Sequence, residues 1–293
     1  MQSLWMVLAS LLFACMGVCV KLGTQWFSVG EMVFFRGAIA MIMATGVAAL
    51  QGIPLRTRNW RLQASRSAAG SLALLCYFFA LGVLPLATAV TLNYTSPIFV
   101  AVLLALVFRE RLRWPVLASV LLGFAGVVLL LQPTLSPDQW LGAAAGLGSG
   151  LIASFAYLSV RELGRAGEPE VRTVFWFSAT TTLLGLPWAT GSTITTTDPG
   201  GWAALAGIGL FGGAAQFAMT RAYRFGKTIV SANLAYTTVI FSSLFGVWFW
   251  DETLPLGAWV AIALIIASGV AVSIATRDVG TPAGERLQAR HSD

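Results

Sequence analysis

The sequence has a single histidine, His291, and it lies in the polar stretch at the C-terminal end. Histidine catalysis, a histidine proton relay and haem ligation are therefore not expected. Cys15, Cys19 and Cys76 all fall in apolar runs, where no disulfide network is expected. Cys15 and Cys19 share a helix face, but two thiols with no histidine nearby are poor metal ligands. Charge is scarce at 10% of residues, against about 25% in soluble domains. No Asp or Glu falls in the middle of an apolar run, so a carboxylate relay for proton coupling is not expected. No mid-run lysine is present for a retinal Schiff base. No His/acid, Ser/Lys or Asp pair lies at depth, which argues against an intramembrane enzyme. No cofactor or metal is expected.

What the chain has in excess is apolar surface: 57% hydrophobic residues and a mean hydropathy of +0.79. A soluble core could not hide this much, so the expected solvent is lipid. A net charge of +6 would suit a nucleic-acid partner. The basic residues, however, sit in short segments between apolar runs, and no such partner is expected. The N-terminal run lacks a basic leader and continues to about Val20 without a small-residue cleavage site. It reads as a retained first span rather than a signal peptide.

A helical span needs about 20 mostly apolar residues. The sequence predicts ten: 3–22, 29–50, 66–84, 87–108, 114–131, 140–160, 171–189, 202–221, 228–250 and 255–275. If the N-terminus is cytoplasmic, the inside segments are 51–65, 109–113, 161–170, 221–227 and the tail. With their flanking helix ends they hold every one of the 18 basic residues except Lys21 and Arg36. That satisfies the positive-inside rule and puts both termini in the cytoplasm. Tryptophans near span ends, among them Trp5, Trp26, Trp140, Trp202 and Trp259, read as interfacial anchors.

One polar stretch recurs. Thr91–Phe99 (TLNYTSPIF) returns at Asn233–Phe241 (NLAYTTVIF), a fixed shift of 142 positions from Thr91 to Asn233. Leu92/Leu234, Tyr94/Tyr236, Thr95/Thr237, Ile98/Ile240 and Phe99/Phe241 are identical, and Ala80/Ala222, Glu110/Glu252 and Leu112/Leu254 extend the match. Such a match predicts a duplication of five spans. Five is odd, so the second copy would enter from the opposite side. Arg109-Glu110-Arg111 on the inside would then correspond to Asp251-Glu252-Thr253 on the outside, which lacks the arginines. The expected fold is an all-α membrane protein of ten transmembrane helices, built as two inverted five-helix repeats over 1–135 and 136–276. A disordered cytoplasmic tail is expected at 277–293.

With these residues in view, the chain resembles the EamA family of the drug/metabolite transporter superfamily. The resemblance rests on the Glu31-to-Arg36 stretch that opens span two and on Ala80, Thr88 and Pro97 leading to Glu110. In the second half it rests on Ala222 and Tyr236 leading to Glu252. The second half departs from the pattern, with Val239 at the place of Pro97 and Ser178 at the place of Arg36. The resemblance implies a carrier of amino acids or other metabolites. Small multidrug efflux relatives carry a glutamate in their first span, where this sequence has Ala14, Cys15 and Gly17.

Polar groups inside a membrane cost free energy unless they face partners or water. Tyr77, Asn93, Tyr94, Tyr157, Gln216, Asn233 and Tyr236 are the candidate lining of a central substrate pocket. Each could instead serve as an interhelical hydrogen bond. Pro97 would leave the Asn93 carbonyl without a helical partner and is the candidate hinge. Glu31 and Arg36 are candidate charged contacts. Arg36 could hold a substrate carboxylate or phosphate, and the blander reading pairs it with Glu31 or with a helix C-terminal carbonyl. Gly142, Gly146 and Gly150, with Gly207, Gly209, Gly212 and Gly213, would allow close helix approach, within a monomer rather than across a dimer. The expected function is export of small neutral or zwitterionic metabolites, amino acids foremost, across the inner membrane by alternating access, as a uniporter or exchanger. Efflux of lipophilic cations and a channel are the alternatives. Lipid and a small-molecule substrate are the expected partners.

Overall fold

The computed structural model describes residues 2–191, 198–251 and 253–277. The helices are α1 (Trp5–Gly23), α2 (Val29–Leu50), α3 (Trp60–Val83), α4 (Leu86–Asn93), α5 (Ser96–Leu106) and α6 (Trp114–Leu131). They continue as α7 (Trp140–Arg165), α8 (Glu170–Gly191), α9 (Pro199–Phe225), α10 (Thr228–Leu234), α11 (Thr237–Trp250) and α12 (Leu256–Arg277). No strand occurs among the described residues. The expected tail beyond Arg277 lies outside them.

Local chemistry explains most boundaries. Ser28 and Glu31 form a capping box on α2: the Ser28 N–H donates to Glu31 Oε2 (2.7 Å) and the Glu31 N–H to Ser28 Oγ (3.4 Å). Asp198 caps α9, accepting from the Gly200 N–H at 2.9 Å, with Pro199 as the first helical residue. Gln132 closes α6 in the left-handed region at φ 45°.

Nine helical segments are long and apolar enough to cross a membrane among the described residues. Helix α8 coincides with the expected seventh span but is not one of them. Its threonines and Ser178 lower its hydropathy, and several of them turn toward the interior. A second difference is the start of α3, six residues ahead of the expected 66. The sequence there looks like a polar loop, yet Gln63 and Arg66 are each only 2% exposed. They face protein rather than water.

Two of the expected spans are broken. Helix α4 ends at Asn93 and α5 begins at Ser96; α10 ends at Leu234 and α11 begins at Thr237. The same hydroxyl repairs both gaps. Thr95 Oγ1 donates to the Leu92 carbonyl (2.6 Å), and Thr237 Oγ1 to the Leu234 carbonyl (2.7 Å). All four residues belong to the sequence repeat. Arg109 and Asp251, which stand at the same shift, are both left-handed, at φ 53° and 52°.

The packing follows a pattern. Helix α2 lies along α8, α6 along α12, α3 along α7 and α1 along α9. Exchanging first-half helices with their second-half counterparts maps α2·α8 and α6·α12 onto themselves and α3·α7 onto α1·α9. The glycines serve these contacts. A Cβ on Gly142 would meet Val83 and Leu84, and one on Gly209 would meet Ile39, both within the monomer.

Among the described residues, a group of ion pairs gathers at one end of the bundle. Glu110 binds Arg161, Glu168 accepts from Thr57 and Asn59, and Glu170 lies 3.4 Å from Arg221 and 3.7 Å from Arg224. Lys227 donates through its backbone N–H to Ser3 Oγ and through Nζ to the Thr276 carbonyl. The segments expected inside therefore meet at one end, together with the start of α1 and the end of α12.

Candidate substrate site

The two breaks place their tyrosines face to face: the rings of Tyr94 and Tyr236 are 6.3 Å apart. Tyr236 is fully buried and its hydroxyl has no hydrogen-bond partner. Gly123 on α6 makes room for it, since a Cβ there would stand 2.7 Å from the ring. The Thr238 hydroxyl faces the Tyr94 phenol. Tyr94 lies within electrostatic reach of Tyr77 on α3 and Tyr157 on α7. Tyr157 stacks on Tyr223 with centroids 4.9 Å apart and planes at 10°. All five tyrosines of the chain thus gather in one interior cluster. It joins α3, the two breaks, α7 and α9.

Arg36 reaches the same region. It lines a small cavity between α2, α8 and α9 with Gly37, Ala40, Phe177, Ser178, Thr181, Gly212 and Gln216. The cavity volume is about 10 Å³, the space of about one water. The Arg36 Nε and the Gln216 amide nitrogen are enclosed there without a hydrogen-bond partner. Arg36 forms no ion pair with Glu31, which corrects the pairing in the bland reading. Glu31 instead caps α2, while Arg36, five residues on, points to another side of the helix and into the bundle.

The remaining expected residues divide. Asn93 Nδ2 donates to Ser149 Oγ on α7 (2.9 Å), and Asn233 Nδ2 to Ser268 Oγ on α12 (3.2 Å). Both asparagines tie helices together, although Asn233 Oδ1 stays unpartnered. Pro97 sits in the first turn of α5, just after the break, where its missing N–H costs little. The second break has Val239 at that place. The proline therefore does not cause the break, which follows the repeated Leu-x-Tyr-Thr residues. The freed Leu92 and Asn93 carbonyls lie against Gly150, where a Cβ would be 3.0 Å from each.

Three residues in this region were not anticipated. Arg66 and Tyr223 both occur beside runs of basic residues and read as part of the inner face. Phe177 carries no polar group and gives no signal in the sequence. In the structure the Arg66 guanidinium lies 4.0 Å from the centre of the Phe177 ring, within electrostatic reach of Tyr157 and Arg36. The arrangement offers hydrogen-bond donors and aromatic faces to a small solute. It places no nucleophile beside a base.

A family model described as the EamA-like transporter family matches residues 1–132 and 140–274. The chain is similar to a pseudopaline exporter of Pseudomonas aeruginosa, 30% identical over 92% of each chain. It is similar to an uncharacterized transporter of Helicobacter pylori (28%, covering 92% of this chain and 93% of the relative). A riboflavin transporter of Brucella anthropi is 25% identical, covering 89% of this chain and 95% of the relative. A solved crystal structure 21% identical shares the fold with a TM-score of 0.84, covering 94% of this chain and 98% of that one.

Proposed function

The chain belongs to the EamA-like transporter family, a multi-pass membrane transporter of small molecules rather than an enzyme, and from that premise we propose that it exports small zwitterionic metabolites, amino acids or their derivatives foremost. Relatives named as a pseudopaline exporter and riboflavin transporters support a metabolite as cargo. They give no support to efflux of lipophilic drugs, and interior arginines oppose a cationic solute.

The carrier has ten spans, with α8 as the tenth despite its polar face, in two inverted repeats over 1–135 and 136–276. The exchange symmetry of the helix contacts supports this. So does the recurrence of the helix break and of the left-handed residue at one shift. The ion-paired end is the cytoplasmic one, by the basic residues it gathers, and the membrane is the inner membrane. Two related halves that exchange conformations around one site give alternating access without a separate motor.

The observation that carries the reading is the convergence of all five tyrosines at the two helix breaks, beside a water-sized cavity lined by Arg36. This is the geometry of an occluded site. In this reading the cargo meets Tyr77, Tyr94, Tyr157 and Tyr236 beside the cavity that Gln216 lines, and Asn93 and Asn233 hold the walls through Ser149 and Ser268. Buried acids such as Glu31 and Glu168 sit at helix ends, so the coupling is uniport or exchange. The test is counterflow. Protein reconstituted in liposomes preloaded with unlabelled amino acid should accelerate uptake of labelled substrate. Absence of acceleration across a panel of amino acids and amino-acid derivatives, from folded protein, would overturn the proposal.

A further inference from the structure

We propose that Arg36 and Arg66 form one anion-binding pair, and that the cargo carries two carboxylates. This narrows the proposed function and rests on it for the word cargo, but the binding claim stands on its own geometry.

Arg66 is 2% exposed, and its Nε and Nη1 have no hydrogen-bond partner. The Arg36 Nε and the Gln216 amide nitrogen are in the same condition. These unmet groups are donors; one turn before Arg66, the buried Gln63 lacks a partner on both its amide nitrogen and its oxygen. Neither arginine has a carboxylate partner among the described residues, where Glu110, Glu162, Glu168 and Glu170 pair with other arginines. Phe177 connects the two guanidiniums, lying 4.0 Å from Arg66 Cζ while lining the Arg36 cavity. Each guanidinium is seated against a glycine. A Cβ on Gly70 would stand 2.3 Å from Arg66 Nη1, and one on Gly212 would stand 3.3 Å from Arg36 Nε. Tyr157 is within electrostatic reach of both.

Guanidinium groups stay protonated in proteins and match carboxylates in a two-pronged geometry. Two such charges in the interior, unpaired, are expensive. A monocarboxylate amino acid brings its own ammonium and leaves both arginines uncompensated. A dicarboxylate offers one carboxylate to each arginine: one without an ammonium, such as succinate, cancels both charges, and an amino-bearing one cancels all but one, so the loaded bundle carries less net charge through lipid than with a monocarboxylate amino acid. The class is a small dicarboxylate, amino-bearing where the aromatic cluster takes an ammonium through ring faces.

The test is ligand-induced thermal stabilisation of the purified full chain, followed by tryptophan fluorescence. The probes are L-glutamate, L-aspartate and succinate, set against L-glutamine, L-alanine and phosphoserine. The dicarboxylates should raise the unfolding temperature in a concentration-dependent way. In R36Q and R66Q their apparent affinity should fall about tenfold or more, with R36K and R66K intermediate. The unliganded Gln variants should unfold at the wild-type temperature or above it, because each loses an unpaired buried charge. A merely structural arginine would lower it. Equal stabilisation by L-glutamine or L-alanine, a stronger response to phosphoserine, no response to any dicarboxylate, or an undiminished response in R66Q would each overturn the proposal. Counterflow of alanine without any dicarboxylate binding would leave the carrier and remove the anion pair. Dicarboxylate binding without counterflow would do the reverse.

Discussion

Replacing Glu168 by Gln should loosen the ion-paired end of the bundle, and the size of the effect can be worked out from its contacts. The Glu168 side chain is 2% exposed. One carboxylate oxygen accepts from Thr57 Oγ1 (2.6 Å) and Asn59 Nδ2 (3.0 Å), and the other from Arg172 Nη1 (2.8 Å). These contacts join the α2–α3 loop of the first half to the start of α8 in the second. A glutamine could keep Thr57 and Asn59 on its amide oxygen, but its amide nitrogen would then face the Arg172 guanidinium. Breaking a buried ion pair costs about 3–5 kcal/mol. Arg172 keeps its bond to the Pro54 carbonyl (2.7 Å) and is itself 16% exposed, so the low end, about 3 kcal/mol, applies. Burial alone would raise the Glu168 carboxyl, but the Thr57, Arg172 and Asn59 hydrogen bonds and the Arg172 charge outweigh it and hold it below the ordinary 4.5. The stabilisation is therefore complete above the unfolded value and lost as pH falls through the lower folded value. Thermal unfolding of wild type and E168Q across pH checks both parts. The gap between them should be widest at neutral pH and close in acid, below about 4.5. Equal unfolding temperatures at neutral pH, or a gap that persists in acid, would refute the reasoning.

Other variants separate packing from transport. Y236F removes a buried hydroxyl that has no partner, so unfolding should be unchanged or shifted up by about 1 kcal/mol. Counterflow should fall if that hydroxyl meets the cargo; unaltered counterflow would remove Tyr236 from the site. P97A should leave both the broken helix and counterflow close to wild type, because the second break lacks a proline. T95V removes the 2.6 Å bond to the Leu92 carbonyl and should cost about 1 kcal/mol in thermal unfolding. A P97A variant more damaged than T95V would restore the proline as the cause. G123A would press a methyl to within 2.6 Å of Ser268 Oγ and 2.7 Å of the Tyr236 ring. It should destabilise by about 1–3 kcal/mol and reduce counterflow together with it.

Span positions were legible because lipid enforces them: a run of apolar residues of the right length has few other uses. The starts of α2 and α6 and the end of α2 fall where hydropathy puts them. The same logic placed α8 to within two residues but began α3 six residues late. Hydropathy reads a polar residue as a boundary, whereas Gln63 and Arg66 are polar residues turned inward. Four of the five clustered tyrosines were identifiable as polar groups in apolar runs. Tyr223 was not, because Arg221, Arg224 and Lys227 surround it in sequence and disguise a buried side chain as part of a loop. Glu31 and Arg36 stand five positions apart and so do not share a helix face; in the structure Glu31 caps α2 while Arg36 lines the cavity.

Arg66 shows why a charge count and a site can compete for the same residue. Counting basic residues sorts loops by side and needs only sequence position. It has no access to the direction of a side chain, and α3 begins early enough to bring Arg66 a turn and a half inside the helix. The broken helices make the complementary point. The two copies differ at Pro97 and Val239 but keep Leu92/Leu234, Tyr94/Tyr236 and Thr95/Thr237. In each copy the threonine hydroxyl takes over the leucine carbonyl, and the tyrosine between them stands at the gap. What the repeat holds constant is therefore the means of opening a helix without leaving its carbonyl bare, and of placing a phenol at the opening. A kink alone would not require the tyrosine. Two phenols near each other in the bundle, with the Arg36 and Arg66 guanidiniums in the same region, form a polar centre that packing by itself does not explain, and the proposed carrier function gives it a use.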